Sequence, residues 1–115
     1  MGAITTHVLN TTLGKPGKNI KVDLQFKNEQ DNGWQTIGEG RTNDDGRVQK
    51  LIMDGWDLKE GTYKITFLLQ DYYLENQIKG FYPEASICFF VDKATDHYHV
   101  PLLISGHGYT TYRGS

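Results

Sequence analysis

Hydrophobic and polar residues alternate along most of this chain, a pattern typical of strands that bury one face and expose the other. The alternation is clearest in residues 20–26 and 62–69, where every second residue is apolar. Further strand candidates are residues 4–9, 34–42, 47–52, 86–93, 97–104 and 108–112. Clusters of glycine, asparagine and aspartate separate these segments as turn signals. Short strands divided by such turns predict a β-sandwich or barrel and disfavour a parallel α/β fold.

One segment departs from the alternation. Residues 71–77 have no period of two and predict about two helical turns, which end before the stop signals Gly80 and Pro83. The chain has 115 residues, a length that fits one domain, and it contains no repeat or linker. The expected architecture is therefore a single all-β domain over residues 1–115 with one short helix.

Composition and charge exclude several classes of protein. An apolar fraction of 37% and a charged fraction of 23% are typical of globular chains. A net charge of −2 provides no broad basic surface for nucleic acid or an anionic membrane. No apolar run approaches the ~20 residues of a membrane span, and the first residues lack a signal-peptide pattern. A cytoplasmic protein is expected, or a peroxisomal or periplasmic one if a leader has been removed.

The single cysteine excludes an internal disulfide and a cysteine-based zinc cluster. Cys88 lies within the apolar run 87–91, which predicts a buried and inert thiol.

The histidines are the first candidates for chemistry. His97 and His99 are two residues apart, so they project from one face of a strand together with Pro101, which favours an edge strand or an interrupted ladder. Such a pair has three interpretations: polar residues on a solvated face, a metal site completed by His7 or a carboxylate, or general acid–base catalysis. His107 lies between two glycines and is expected in a turn.

Arg47 and the last residues of the chain are further candidates. Arg47 follows a tight turn, and its local sequence favours a surface ion pair with Asp44 or Asp45. A functional arginine would instead recognise a planar anion or stabilise an oxyanion. Residues 108–115 are rich in hydroxyl groups and β-prone, which suggests a docked tail whose carboxylate could form part of a site.

These motifs together resemble one family. Residues 6–11 with 14–16, and residues 42–47, resemble the opening signatures of the transthyretin-like proteins. Residues 97–105 resemble their second signature, and the ending 109–115 resembles the tail of the 5-hydroxyisourate hydrolase branch. The resemblance covers essentially the whole chain. The combination of His-Tyr-His with a terminal Tyr-Arg-Gly-Ser is its most specific part.

The resemblance implies a transthyretin-like sandwich of two four-stranded antiparallel sheets with one short helix. It implies a homotetramer, a dimer of dimers with active sites in the clefts between dimers. The expected reaction is hydrolysis of 5-hydroxyisourate to 2-oxo-4-hydroxy-4-carboxy-5-ureidoimidazoline in urate degradation, without metal or cofactor. In the implied site, histidines assist water attack and arginine stabilises the developing charge. The implied catalytic residues are His7, Arg47 and His99, and the implied substrate-binding residues are His7, Arg47, Tyr112 and Ser115.

The chain also departs from the family pattern, and two other functions stay open. Residues 105–108 read Ser-Gly-His-Gly where family members often have proline, which loosens the turn and brings in His107. A transthyretin-type carrier of small aromatic hormones would have the same fold, although the carrier branch lacks this full set of residues. A zinc hydrolase using His7, His97 and His99 would contain bound metal and would lose activity with chelators.

Overall fold

Residues 2–115 are described by a computed structural model, and strands dominate them. The elements in chain order are β1 (Ala3–Asn10), β2 (Lys15–Pro16), β3 (Lys21–Lys27), β4 (Trp34–Arg41), β5 (Gly61–Leu68), α1 (Gln70–Glu75), β6 (Glu84–Val91), β7 (His97–Ile104) and β8 (Tyr109–Thr111). The predicted strands match these elements except for residues 47–52, and β2 was not predicted, because a strand of two residues shows no alternation.

The strands form two four-stranded sheets, as the fold prediction stated. The first sheet has the order β2-β1-β7-β8 and the second has the order β4-β3-β5-β6. All neighbouring strands pair antiparallel except β1 and β7, which run parallel over their full length. The sandwich is therefore confirmed, and its first sheet is mixed.

The hydrophobic core lies between the two sheets. The alternating apolar residues of β3 and β5 face inward, and Leu24, Ile65 and Phe67 are fully buried. From the first sheet, Val8 and Leu102 are also fully buried. Burial of each such side chain contributes about 1.5–3 kcal/mol to folding. The core therefore holds the first sheet rigidly and leaves its outer face free.

The predicted helix is present as α1 between β5 and β6. It buries Tyr72 and Tyr73, and it ends before Gln77, whose φ of 57° is left-handed. The Tyr72 hydroxyl accepts a hydrogen bond of 2.8 Å from the amide of Asn10 on β1, and the Tyr73 hydroxyl donates one of 2.9 Å to the carbonyl of Ser105. The helix is thereby tied to β1 and to the residue that follows β7.

Two predictions about individual segments are wrong. Residues 47–52 do not form a strand; they make only isolated bridges, of Arg47 with His7 and of Ile52 with Gly38. Cys88 is exposed, because alternation along β6 turns Ala85 and Val91 inward and Cys88 outward. An apolar run does not by itself reveal that a strand has a solvated face.

Pro101 lies in the interior of the first sheet, where it interrupts a ladder. β7 pairs with β1 on one side and with β8 on the other. The pairing of β8 with β7 ends at Leu102, and the tail contacts β7 again only at the isolated bridge between His99 and Gly114. A proline has no N–H to donate at the intervening position.

Within residues 2–115, no helix reaches the length and apolarity needed to cross a bilayer.

Candidate active site

The parallel pairing of β1 with β7 builds one face of the site. It places Thr5 opposite His99, Ala3 opposite His97 and His7 opposite Pro101. The residues that alternate with the histidines turn inward, since Tyr98 and Val100 are buried in the core. His7, His97 and His99 consequently share the outer face of the first sheet, with His97 exposed and the other two half-buried.

The Thr5 hydroxyl joins the two histidines of β7. Thr5 Oγ1 lies 2.8 Å from His97 Nε2 and 2.8 Å from His99 Nδ1. A hydroxyl group has one hydrogen to donate and two lone pairs that accept, so it can hydrogen-bond to both imidazoles at once. With Nδ1 of His99 occupied in this way, its Nε2 is the nitrogen left for a substrate.

Buried hydrogen bonds fix the strand that carries these histidines. The Tyr98 hydroxyl donates to the Asp92 carboxylate at 2.7 Å and accepts from the backbone N–H of Lys93 at 2.9 Å. The bond from Tyr98 lowers the pKa of Asp92, with a nearby backbone hydrogen bond acting in the same direction. On β1, the buried Thr6 hydroxyl donates to the carbonyl of Val100 at 2.6 Å. Both contacts reduce the freedom of the segment that positions His97 and His99.

A tight turn brings Arg47 to the edge of the same sheet. The Asn43 side chain accepts hydrogen bonds from the backbone N–H groups of Asp45 at 2.9 Å and Arg47 at 3.0 Å. Gly46 has a φ of 77°, and the N–H of Val8 donates to its carbonyl at 2.8 Å. A Cβ at Gly46 would collide with the carbonyl oxygen of Val8, so only glycine permits this approach.

The turn therefore sets Arg47 beside His7, with which it forms an isolated antiparallel bridge. The ion pairs among residues 2–115 involve Lys21 and Lys50, so the suggested pairing of Arg47 with Asp44 or Asp45 is not formed. The guanidinium is exposed and available to a ligand.

The tail returns to β7 and covers one edge of His99. The N–H of Gly114 donates to the carbonyl of His99 at 2.9 Å. A Cβ built on Gly114 would lie 3.2 Å from Cγ of His99 and would overlap its Cδ2. The backbone of Gly114 thus packs directly on the imidazole ring.

The residues on either side of Gly114 point in different directions. The guanidinium carbon of Arg113 lies 4.7 Å from the ring centroid of Tyr98, on the core side of the sheet edge, so Arg113 does not face the histidines. Tyr112 follows the end of β8; its side chain is 58% exposed and borders a groove that is also lined by Phe89 and Tyr98. Ser115 is exposed immediately beyond Gly114.

His99 is the histidine whose pKa the site changes most clearly. Burial lowers its pKa below the ordinary value of 6.5, and the positive charges of Arg47, His7 and His97 lower it further. A backbone hydrogen bond with Thr5 raises it to a smaller extent. A pKa below the ordinary value favours the neutral imidazole of His99 near pH 7.

The structure thus brings together His7, Arg47, His99 and the tail from distant parts of the chain. Sequence reasoning missed the roles of Thr5, whose hydroxyl contacts two imidazoles, and of Asn43, which holds the backbone of Arg47; only their β-prone and turn contexts were visible. His107 lies in the turn between β7 and β8, at the end of β7 away from His97 and His99. Among residues 2–115, no three histidine, cysteine or carboxylate side chains are grouped so that they could hold a metal ion.

Comparison with known proteins identifies the family of this chain. The profile of the HIUase/Transthyretin family matches residues 4–114. A 5-hydroxyisourate hydrolase of Ralstonia nicotianae is 42% identical over 119 residues, covering 100% of both chains. The structure of Klebsiella pneumoniae 5-hydroxyisourate hydrolase superposes with a TM-score of 0.83 at 28% identity, covering 100% of both chains. Transthyretin from Sparus aurata superposes with a TM-score of 0.88 at 25% identity, covering 96% of this chain and 95% of the other. The chain belongs to the HIUase/Transthyretin family.

Proposed function

We propose that this chain is a metal-independent hydrolase that opens the six-membered ring of 5-hydroxyisourate and yields 2-oxo-4-hydroxy-4-carboxy-5-ureidoimidazoline in urate degradation. The observation that carries the proposal is the convergence of one guanidinium and two imidazoles on the outer face of the first sheet. His7, Arg47 and His99 come from three separate segments, and Arg47 and His7 both act on the pKa of His99. The proposal also rests on the relatives that bear the name 5-hydroxyisourate hydrolase.

His99 is assigned as the general base. Its lowered pKa keeps it neutral at the pH of the cell, and Thr5 occupies Nδ1 so that Nε2 is available to the attacking water. In the reaction, the water oxygen bonds to the ring carbonyl carbon while its proton passes to Nε2. The ring C–N bond then breaks, and the leaving nitrogen receives a proton. A positioned base contributes about 10²–10⁴-fold to the rate of such a step.

Arg47 is assigned to the oxyanion. Addition of water to the carbonyl places a negative charge on its oxygen, and a guanidinium presents a fork of donors to that charge. His7, which is paired with Arg47 across the bridge, shares the hydrogen bonding to the substrate and the proton transfers. Tyr112 packs against the planar substrate, and Ser115 orients the water or an imidazole. The roles of His7, Arg47 and His99 are supported by their place on one face of the first sheet and at its edge.

The active unit is a homotetramer built as a dimer of dimers. β6 and β8 end their sheets on the same side of the molecule, where they border a groove of about 620 Å³ lined by Phe89, Tyr98, Val100 and Tyr112. Phe90 on β6 is 78% exposed beside this groove. Exposed apolar side chains next to open strand edges favour pairing with a second copy. The histidine face then lies in the cleft between dimers.

The test is the decay of 5-hydroxyisourate, generated in place from urate by urate oxidase and followed by ultraviolet absorbance with and without a chelator. The protein should accelerate decay in both conditions, and its mass by light scattering should be four times the chain mass of 13.1 kDa. Arg47→Ala and His99→Ala should each lower kcat/KM by at least about tenfold with the mass unchanged.

Two matched controls accompany these variants. Arg41→Ala removes an exposed arginine of the second sheet, and His107→Ala removes the turn imidazole, so neither should change kcat/KM. Wild-type turnover in both Arg47→Ala and His99→Ala would contradict the assignment of these residues. No acceleration by a folded tetramer would instead favour a carrier of aromatic ligands.

A further inference from the structure

The contact of one threonine hydroxyl with two imidazoles restricts where their protons lie. Thr5 Oγ1 is 2.8 Å from both His97 Nε2 and His99 Nδ1, but the hydroxyl has only one hydrogen. When Thr5 donates to His97, the nitrogen of His99 that faces it must carry a proton and donate to Thr5. The three side chains then form a directed chain of hydrogen bonds that runs from His99 through Thr5 to His97.

We propose that Thr5 is a positioning residue that holds His99 in its Nδ1–H form and passes a proton between His99 and His97. The inference rests on the proposed function for its place in the reaction, although the hydrogen-bond arrangement itself does not depend on any activity. In the resting state of this arrangement, Nε2 of His97 accepts from Thr5, and Nε2 of His99 bears the free lone pair that general base catalysis requires.

The proton transfers balance over one turnover. When Nε2 of His99 takes a proton from water, the Nδ1 proton moves to Thr5 Oγ1 and the hydroxyl hydrogen moves to Nε2 of His97. The positive charge now lies on His97, and His99 is neutral with its proton on Nε2. When His99 gives that proton to the leaving ring nitrogen, the two hydrogens move back through Thr5. Only N–H and O–H bonds form and break, and the resting state is restored.

The surrounding charges favour this displacement. The groups that act on His99 are Arg47 from the turn, His7 from β1 and His97 from β7 itself. On the tail segment, Arg113 faces the ring of Tyr98 on the other side. A positive charge on His99 would be half-buried and repelled by the charge of Arg47. A positive charge on His97 would be hydrated, because His97 is exposed. The relay therefore moves the charge to the better solvated imidazole.

The first experiment measures the proton positions directly. Nitrogen-15 NMR of the full-length protein distinguishes a protonated imidazole nitrogen from a bare one. In the wild type at neutral pH, His99 should carry its proton on Nδ1. Thr5→Val keeps the branched shape but removes the hydroxyl, so a substantial Nε2–H population of His99 should appear. Thr5→Ser should restore the wild-type spectrum. An unchanged Nδ1–H form of His99 in Thr5→Val would overturn the proposal.

The second experiment measures turnover of 5-hydroxyisourate. Thr5→Val should lower kcat/KM by about 10- to 100-fold, the range found when the partner that orients a metal-bound imidazole is removed, and Thr5→Ser should recover most of it. Thr66→Val is the matched control, because Thr66 bonds to Ser86 on the exposed face of the second sheet. Full activity of Thr5→Val would exclude the relay. A shifted tautomer in a protein that hydrolyses no 5-hydroxyisourate would reject the proposed function and retain Thr5 as the group that positions His99.

Discussion

Gly114→Ala tests whether the tail positions the imidazole of His99. A methyl group at residue 114 would overlap Cδ2 of His99 and would lie 3.2 Å from its Cγ. Carbon atoms favour separations of about 3.5–4.0 Å, so the ring or the tail must move by about 1 Å. The Gly114 N–H bond to the His99 carbonyl holds the backbones together, so most of the movement falls on the imidazole.

A displacement of this size has a predictable effect on the rate. Misplacement of a catalytic group by about 1 Å can lower the rate by about 10²-fold, which corresponds to about 2.7 kcal/mol of transition-state stabilisation. We therefore expect Gly114→Ala to lower kcat/KM for 5-hydroxyisourate by about two orders of magnitude. Stability should change little, because residue 114 lies outside the core between the sheets.

The control is Gly108→Ala in the same part of the chain. A Cβ at Gly108 meets no atom within 4 Å, so this variant makes the same chemical change without a collision. Both variants would be compared by the absorbance assay, with thermal unfolding to confirm an intact fold. Equal kcat/KM values for Gly114→Ala and the wild type would refute the idea that the tail positions the imidazole of His99.

Two further predictions concern the pKa of His99 and the turn that carries Arg47. Because the pKa of His99 is lowered, kcat/KM should fall with decreasing pH only below 6.5, as His99 takes up a proton, and a fall that begins at or above 6.5 would contradict the assignment. Arg47→Ala should raise the pKa of His99 in an NMR titration. Asn43→Ala removes the acceptor of two backbone hydrogen bonds and should lower kcat/KM by about tenfold, because Arg47 is released. Asn28→Ala should leave kcat/KM unchanged, and equal kcat/KM values for the two variants would show that the turn does not contribute to the rate.

The sequence was sufficient to predict most of the fold, because period-two alternation specifies both a strand and its buried face. It also predicted that His97 and His99 share one face, since that follows from spacing alone. The predicted strand 47–52 failed for a physical reason. Val48 and Leu51 are both buried although they are three residues apart, a spacing that a strand would turn to opposite faces, and the segment covers the core with only isolated bridges to its neighbours.

The parts of the site that could not be predicted depend on contacts between distant residues. Thr5 and His99 are 94 residues apart in the sequence, and no local pattern indicates which threonine will lie opposite an imidazole. Gly114 looks like any turn glycine until β7 is placed beside it. Asn43 was visible as a turn residue, but its bond to the N–H of Arg47 depends on how that turn docks against β1.

The parallel pairing of β1 with β7 also has a consequence for folding kinetics. The face that carries His7 and His99 exists only when a segment near residue 5 has found one near residue 99, so a loop of about ninety residues must close first. Contacts of such sequence separation slow folding and form late. During synthesis, β1 cannot pair with β7 until residues 97–104 have been made. We therefore expect the second sheet, whose strands are closer in sequence, to become ordered first and to act as the template on which the face that carries His7 and His99 assembles.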